Sequence, residues 1–238
     1  MRLRPPIDIN EAVVERHLER TPRGEIVADE VISTLAKAVQ ATRLNSDALV
    51  AVADAFANDR TLTPEARSMR LRGSALKLAE ATASKLDAAR AAAQAELDAL
   101  DQRLNTLPPP DAVSPGLEAE VRARLSAMSE RDREAAISKA LTDGDTFIVG
   151  SVLRGPGFLS GVNKARYDMI RQRFVALAHP QEHARRGRLA AALEDTQRCG
   201  GLFMEFVKSA AFNQTATLAD AAEKARSAEE AIDRAIAG

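Results

Sequence analysis

Hydrophobic positions between residues 31 and 107 recur at alternating spacings of three and four, which is the pattern of a heptad seam. The first run comprises Val31, Leu35, Ala38, Thr42, Asn45, Leu49, Val52 and Phe56. The second run comprises Leu76, Ala79, Ala83, Leu86, Arg90, Ala93, Leu97, Leu100, Leu104 and Leu107. Between the runs, Thr63 followed by Pro64 is typical of a helix start, because threonine caps the first turn and proline suits the first helical position. The pattern predicts a long antiparallel helical hairpin over residues 25–107.

The two helices of this hairpin are expected to differ in length. The first is expected to span roughly 30 residues and the second roughly 44, so at about 1.5 Å per residue the second extends about 20 Å further. A stripe of leucines lies on this overhang and must be shielded from water, by the N-terminal segment, by the C-terminal region or by another subunit. We interpret the stripe as a subunit or partner interface, with an intramolecular three- or four-helix bundle as the alternative. Its residues are Leu97, Leu100, Leu104 and Leu107.

The rest of the chain is expected to add an arm, a linker and a second helical region. Residues 1–24 are predicted to form an N-terminal arm with a short helix, and three consecutive prolines predict a linker over residues 108–116. Residues 117–238 are predicted to form a C-terminal helical domain with an aromatic core, because six of the seven phenylalanines lie there. Its helices are expected to begin near Ser114–Pro115, Ser129, Asn163 and Thr217. The predicted fold class is all-α, a long coiled-coil-like antiparallel helical hairpin plus a smaller C-terminal helical bundle.

Composition agrees with long helices and excludes several classes of protein. Aromatic residues supply 3% of the chain and tryptophan is absent, and an alanine-rich chain favours helices that approach closely. The formal net charge of −1 gives no overall attraction for nucleic acid or an anionic membrane. Cys199 is the only cysteine, so an internal disulfide is excluded and a buried structural thiol is expected. No signal peptide or membrane span of about 20 apolar residues is expected.

The sequence His179-Pro180-Gln181-Glu182-His183 matches the H-x-x-E-H pattern of inverted zinc peptidases. Such a site needs both histidines on one face of a continuous helix. Pro180 interrupts that helix and restricts His179 to an extended conformation. We therefore expect His179 to end one helix or cap the next, and we predict no metal ligand here.

Four glycines at positions 150, 155, 157 and 161 suggest a nucleotide-binding loop. However, Gly155 is followed by Pro156 and not by the lysine and hydroxyl residue of a phosphate-binding loop. We expect the glycines to end a short helix near Leu153 and to allow a tight turn that holds Phe158 and Leu159 in the core. No cofactor and no catalytic residue are predicted, so the chain is not expected to be an enzyme.

Basic residues concentrate between positions 154 and 188. This stretch holds eight arginine and lysine residues against two acidic ones, a local balance of +6. Such a patch suits phosphate, RNA or an acidic protein surface. Aromatic side chains for base stacking are few, so a solvated or partner-facing helix is the favoured interpretation and nucleic acid the less favoured one. The candidate residues are Arg166, Arg171, Arg173, Arg185, Arg186 and Arg188.

The segments Ala140-Leu141-Thr142-Asp143-Gly144-Asp145 and Gly155-Pro156-Gly157-Phe158-Leu159-Ser160-Gly161 resemble uncharacterised alanine-rich helical proteins of bacteriophages and prophages. The resemblance covers roughly residues 134–190. It implies a place in the virion or in particle assembly, and it carries over no functional residue.

The function expected from these observations is that of a non-enzymatic, oligomeric helical structural or assembly protein of a bacteriophage particle. Scaffolding, connector-associated and internal virion proteins are examples of this class. Its partners would be other copies of itself and other particle proteins, in the virion or the bacterial host cytoplasm. The alternative is a bacterial cytoplasmic adaptor or regulator whose basic 154–188 face binds nucleic acid or an acidic partner. Neither function involves a membrane.

Overall fold

The chain is mainly helical in the part that the computed structural model describes, which comprises residues 3–107, 115–212 and 216–236. An isolated antiparallel β-bridge joins Arg20 and Ile26, and a short 3-10 turn covers Gly157–Ser160. This architecture confirms the predicted all-α class. The α-helices are α1 (Ala12–Glu15), α2 (Glu30–Asn58), α3 (Pro64–Asn105), α4 (Pro115–Ala127), α5 (Glu130–Thr142), α6 (Thr146–Leu153), α7 (Lys164–Ala178), α8 (Pro180–Phe212) and α9 (Ala216–Ile236).

Helices α2 and α3 form the predicted antiparallel hairpin. The amide of Asn45 donates a hydrogen bond of 2.8 Å to the Thr82 hydroxyl, so positions at similar distances from the connecting turn face each other. The hydroxyl of Thr63 accepts a hydrogen bond of 3.2 Å from the backbone N–H of Ala66, which caps the start of α3 as predicted. The short turn and the cap therefore set the direction of α3 against α2.

The buried face of the hairpin follows most of the predicted seam. In α2 the seam positions Leu35, Ala38, Thr42 and Leu49 are buried. In α3 the seam is shifted near its start, because Ala75 is fully buried while Leu76 is 47% exposed. Further along α3, the buried residues again lie three or four apart, which is the spacing of one buried face of a helix. They are Ala79, Thr82, Leu86, Ala89, Ala93, Leu97, Leu100 and Leu104.

The chain divides into two compact units. Unit 1 comprises Met1–Glu96 and Arg188–Gly238, and unit 2 comprises Leu97–Gly187. The predicted divisions at 1–24, 25–107, 108–116 and 117–238 do not coincide with these units, because residues of both α3 and α8 belong to each unit. Residues 108–114 of the predicted linker lie outside the described residues.

The core of unit 1 is built from the N-terminal arm, the hairpin and α8. Ile9 and Val14 of the arm are fully buried, as are Ile32 in α2 and Leu189 in α8. Phe203 is the largest of the fully buried side chains described in this unit. The arm is therefore an integral part of the packed unit, and burial of these apolar side chains stabilises it.

Unit 2 is a smaller helical bundle in which α4, α5, α6 and α7 surround one apolar core. The Ser129 hydroxyl and the Asn163 side chain accept hydrogen bonds from the first turns of α5 and α7, which confirms both predicted helix starts. The carboxylate of Asp145 caps α6 in the same way. The core residues are Leu125, Ile137, Ala140, Leu141, Val149, Val152, Leu153, Val162, Ile170 and Phe174.

The expectation of one aromatic core in the C-terminal half was wrong. Phe174 is buried in unit 2, whereas Phe203 and Phe206 are buried in unit 1. Phe158 is exposed, and the side chain of Phe212 lies outside the described residues. The phenylalanines are divided because α8 contributes most of its length to unit 1.

The leucine stripe is not an exposed interface. Leu97, Leu100 and Leu104 are 7%, 0% and 6% exposed in the single chain. Leu107 is partly buried against the core of unit 2. These side chains are shielded from water within one chain, as the intramolecular alternative requires, so the proposed need for a second subunit at this position is removed. In the described part of the chain, no helix combines the length and the apolar character needed to span a membrane.

Candidate functional site

The glycine-rich segment after α6 forms a hydrogen-bonded turn at the surface of unit 2. Helix α6 ends at Leu153 as predicted. The N–H of Leu159 donates to the carbonyl of Pro156 at 3.0 Å, and the N–H of Val162 donates to the carbonyl of Gly157 at 2.9 Å. Gly161 has a left-handed backbone, with φ of 67°, a conformation that glycine adopts without strain. These bonds hold the turn in one conformation.

The turn presents apolar side chains to solvent, contrary to the expectation that it would hold them in the core. Phe158 is 73% exposed and Leu159 is 44% exposed. Ser160 and Val162 are buried instead. The chain therefore turns inward only after Phe158 and Leu159. We call residues 156–161 the Phe158 turn. A phenylalanine exposed on an ordered turn is available for contact with another protein.

The glycines of this region also leave room for arginine side chains. A Cβ atom on Gly150 would lie 2.6 Å from Nη1 of Arg154, and a Cβ atom on Gly155 would lie 2.9 Å from Cδ of Arg122. A Cβ atom on Gly161 would collide with the Arg133 guanidinium. Arginine side chains therefore lie close to three of the four glycines, whereas Gly157 lies against the Val162 carbonyl oxygen and the Tyr167 ring.

Substitution of Gly161 tests its left-handed conformation. The change Gly161→Ala is expected to lower the free energy of unfolding by about 1 kcal/mol or more, because alanine resists the backbone φ of 67° found there. Gly187 lies inside α8, where a Cβ atom would meet open space, so Gly187→Ala is the control and should stabilise by about 0.5–1 kcal/mol. Urea denaturation of both variants measures the difference, and equal effects of the two changes would contradict it.

A buried ion cluster lies beside the Phe158 turn in unit 2. The Glu118 carboxylate accepts hydrogen bonds from Nε of Arg154 at 2.9 Å and from its Nη2 at 2.5 Å. The guanidinium of Arg122 lies 3.5 Å from the same carboxylate and donates to the carbonyl of Ser151 at 2.9 Å. The hydrogen bonds from Arg154 lower the pKa of Glu118 below its ordinary value, against the opposing effect of burial. This cluster joins α4 to α6.

A second buried carboxylate joins the N-terminal arm to α8 in unit 1. Oδ2 of Asp195 lies 2.7 Å from Nη2 of Arg16 and 2.8 Å from Nε2 of His17. Its Oδ1 lies 2.7 Å from Nη2 of Arg198. Burial raises the pKa of Asp195, but the hydrogen bonds from His17 and Arg16 outweigh it, so the pKa lies below its ordinary value. Every strong contact of this carboxylate is to a cation or potential cation of the chain itself, which is typical of a structural ion pair.

Carboxylates of the same chain oppose half of the predicted basic patch. Arg166 lies 3.0 Å from Glu134, and Arg186 makes two hydrogen bonds of 2.6 and 3.0 Å to Asp101. These pairs offset positive charge that the sequence count left unopposed. Arg188 likewise lies 2.6 Å from Glu19. The other three also have partners: Arg171 donates to the Asn105 carbonyl at 3.3 Å, Arg173 donates to the Ser138 hydroxyl at 3.5 Å, and Arg185 is not free either.

The patch is also divided between the two units. Arg188 belongs to unit 1, whereas the other five candidates belong to unit 2. Sequence proximity alone suggested one continuous surface. The carboxylate partners of Arg186 and Arg188 are 85 and 169 residues away in sequence, so no local pattern could reveal them.

The suspected zinc motif is broken as expected. Helix α7 ends at Ala178, His179 has non-helical backbone angles, and α8 begins at Pro180. Nδ1 of His179 lies 3.0 Å from Glu182, so its nearest charged neighbour belongs to its own turn. Among the described residues, no group of three or more histidine, cysteine, aspartate or glutamate side chains has an arrangement suited to a metal ion. Cys199 is buried, and burial raises the pKa of its thiol.

An apolar pocket opens on unit 2 where α5, α6 and α7 meet. Its volume is about 140 Å³. Its floor is formed by core residues such as Val149 and Phe174, and Leu177 is exposed beside it. A second hollow, between α5 and α7, is lined by charged side chains that include Arg133, Glu134 and Arg166. The first is suited to an apolar side chain. In the second, the lining residues Arg166 and Glu134 are paired with each other.

The comparisons with known proteins assign no family to this arrangement. No protein-family model matches the chain, and no curated protein or solved structure matches it significantly.

Proposed function

We propose that this chain is a non-enzymatic helical structural or assembly protein that associates with further copies of itself and with other proteins of a larger particle. The observation that carries the proposal is the Phe158 turn, where an apolar side chain is 73% exposed on a hydrogen-bonded turn. Exposure of a large aromatic ring to water is unfavourable, and covering it in a protein contact recovers that free energy.

The state of the buried carboxylates supports a structural role for the polar groups. Glu118 and Asp195 are each held ionised by guanidinium groups of the same chain. A general acid or base needs a pKa close to the working pH. Both carboxyl groups have the opposite tendency, since their pKa values are lowered. They serve to fasten α4 to α6 and the arm to α8.

The bacteriophage setting of the proposal depends on the resemblance of residues 134–190 to phage proteins. The Phe158 turn lies within that stretch. A setting in the virion or its assembly pathway agrees with a protein that exposes an apolar ring on an ordered turn.

The adaptor function has weaker support from the geometry. Glu134, Asp101 and Glu19 oppose Arg166, Arg186 and Arg188, which lowers the field available to nucleic acid. Binding to generic duplex DNA that falls steeply with added salt, and that is lost on replacing Arg171 and Arg173 with alanine, would favour this alternative over the assembly protein.

The solution mass of the full chain tests the proposed function. Size-exclusion chromatography with light scattering is expected to show a mass that exceeds the 25.6 kDa of one chain and rises with protein concentration. The reason is that the fraction of chains joined by a weak contact increases with protein concentration, by mass action. A mass of one chain at every concentration would contradict self-association.

A further inference from the structure

We propose that the Phe158 turn of one copy occupies the apolar pocket between α5, α6 and α7 of a second copy, which gives a head-to-tail contact. This inference rests on the proposed self-association and names the surfaces that form it. Both surfaces belong to unit 2 of each copy, so the contact is specified within one compact unit.

The pocket has the size and lining that a phenylalanine ring requires. Its volume is about 140 Å³, and an apolar cavity of about 150 Å³ accommodates a benzene ring. Most of the surface inside it is apolar, which favours a ring over a polar group. The lining includes Leu141, Gly144, Val149, Phe174, Leu177 and Ala178.

The Phe158 turn is suited to insertion because it is already ordered. Its backbone hydrogen bonds and the left-handed Gly161 hold the turn. A Cβ atom on Gly157 would lie 2.9 Å from the carbonyl oxygen of Val162, so a larger residue there would disturb it. An ordered contact site loses little conformational entropy on binding, which increases its affinity.

The turn and the pocket lie at opposite ends of α6 and α7. The turn follows the last residue of α6 and precedes the first residue of α7. The pocket instead involves Thr146 at the start of α6 and Leu177 near the end of α7. Leu177 is 13 residues after Lys164, a distance of about 20 Å along the helix.

This separation determines the kind of assembly. One copy cannot place its own Phe158 in its own pocket, because the helices are rigid and hold the two surfaces apart. When the turn of one copy fills the pocket of the next, the second copy still has a free turn and the first a free pocket. Contacts between two different surfaces repeat into rings or filaments.

Two substitutions at exposed positions test the turn and the pocket one at a time. Phe158→Ala removes the inserted ring, and Ala178→Phe fills the pocket from its own rim, where Ala178 is exposed. Each variant alone is expected to weaken self-association by about tenfold or more, as truncation of an aromatic anchor does. Ile232→Ala is the matched control, because Ile232 is 59% exposed on α9 and outside the contact.

The decisive measurement is sedimentation velocity of the full chain and of a mixture of the two variants. The wild-type mass should continue to rise beyond that of a dimer. Phe158→Ala keeps an open pocket and Ala178→Phe keeps an intact turn, so an equimolar mixture should form a 1:1 dimer and stop there. Circular dichroism and thermal melting of each variant verify that both fold as the wild type does.

The outcomes are distinguishable. A wild-type oligomer that Phe158→Ala leaves unchanged would overturn the head-to-tail contact and leave the proposed function standing. Loss of mass on Ile232→Ala without loss on Phe158→Ala would move the contact to α9 and overturn the inference. A wild-type mass of one chain at all concentrations would overturn both.

Discussion

Replacement of Glu118 with alanine is expected to lower the free energy of unfolding by about 3 kcal/mol or more. The carboxylate side chain is 8% exposed and the Arg154 side chain that it binds is 14% exposed. Without Glu118, the buried guanidinium of Arg154 loses the two hydrogen bonds that it makes to this carboxylate. Removal of one partner of a buried pair is far costlier than loss of a surface pair. Urea denaturation at neutral pH measures the change.

A neighbouring glutamate supplies the control for this prediction. Glu120 lies on the same helix and is exposed, so Glu120→Ala should change stability by no more than about 0.5 kcal/mol. The variant Glu118→Gln keeps the shape of the side chain and removes its charge, and it should lose most of the same stability. A loss below about 1 kcal/mol for Glu118→Ala would show that the cluster contributes little beyond surface electrostatics.

The lowered pKa of Glu118 gives this prediction a dependence on pH. A carboxyl group whose pKa is lower in the folded state contributes its stability in full above the unfolded pKa and loses it as the pH falls through the folded value. The ordinary value for Glu118 is 4.5, so its contribution is complete at pH 7, begins to fall below that value and is lost as the pH passes through the lower pKa of the folded state. The difference between wild type and Glu118→Gln should therefore shrink on acidification.

Asp195 is expected to contribute to acid sensitivity with the same sign. Its pKa is also lowered, so protonation at low pH weakens its contacts with Arg16 and His17. The effect should be smaller than for Glu118, because the Arg16 side chain is 58% exposed and its charge is hydrated when the pair is lost.

The helices could be predicted from the sequence because their signals are local. Alternation of three and four revealed α2 and α3, and Ser129 and Asn163 marked the starts of α5 and α7 through the caps that they form. Such features depend on residues within one or two turns of each other. Helix periodicity and helix caps can therefore be identified from the sequence alone.

The site could not be predicted because it depends on contacts between distant residues. Glu118 and Arg154 are 36 residues apart, and the arginines that lie against Gly155 and Gly161 come from α4 and α5. The apolar pair Phe158–Leu159 was placed in the core because apolar residues usually are buried. Whether a short turn faces inward or outward is determined by the helices on either side of it, which periodicity does not specify.

The leucine stripe shows the same limit, since the pattern identified residues that must leave water but not what shields them. Replacing Leu97, Leu100 and Leu104 together with glutamine is now expected to unfold the protein and not merely to dissociate an assembly. Loss of one buried leucine side chain costs about 2–5 kcal/mol, and a buried amide without hydrogen-bond partners adds a further penalty. Three such changes approach or exceed the total stability of a typical domain, which is about 5–15 kcal/mol.

Leu76→Gln is the matched control for this triple replacement, because Leu76 lies on the same helix and is 47% exposed. It should change stability by no more than about 0.5 kcal/mol. Circular dichroism distinguishes the two interpretations of the stripe, since unfolding removes the helical signal whereas dissociation preserves it. A triple variant that keeps its helical signal and its thermal transition but has a lower mass would return the stripe to its first interpretation as a subunit interface. Loss of the helical signal would instead show that each chain needs these buried leucines in order to fold. Self-association must then use surfaces outside the stripe.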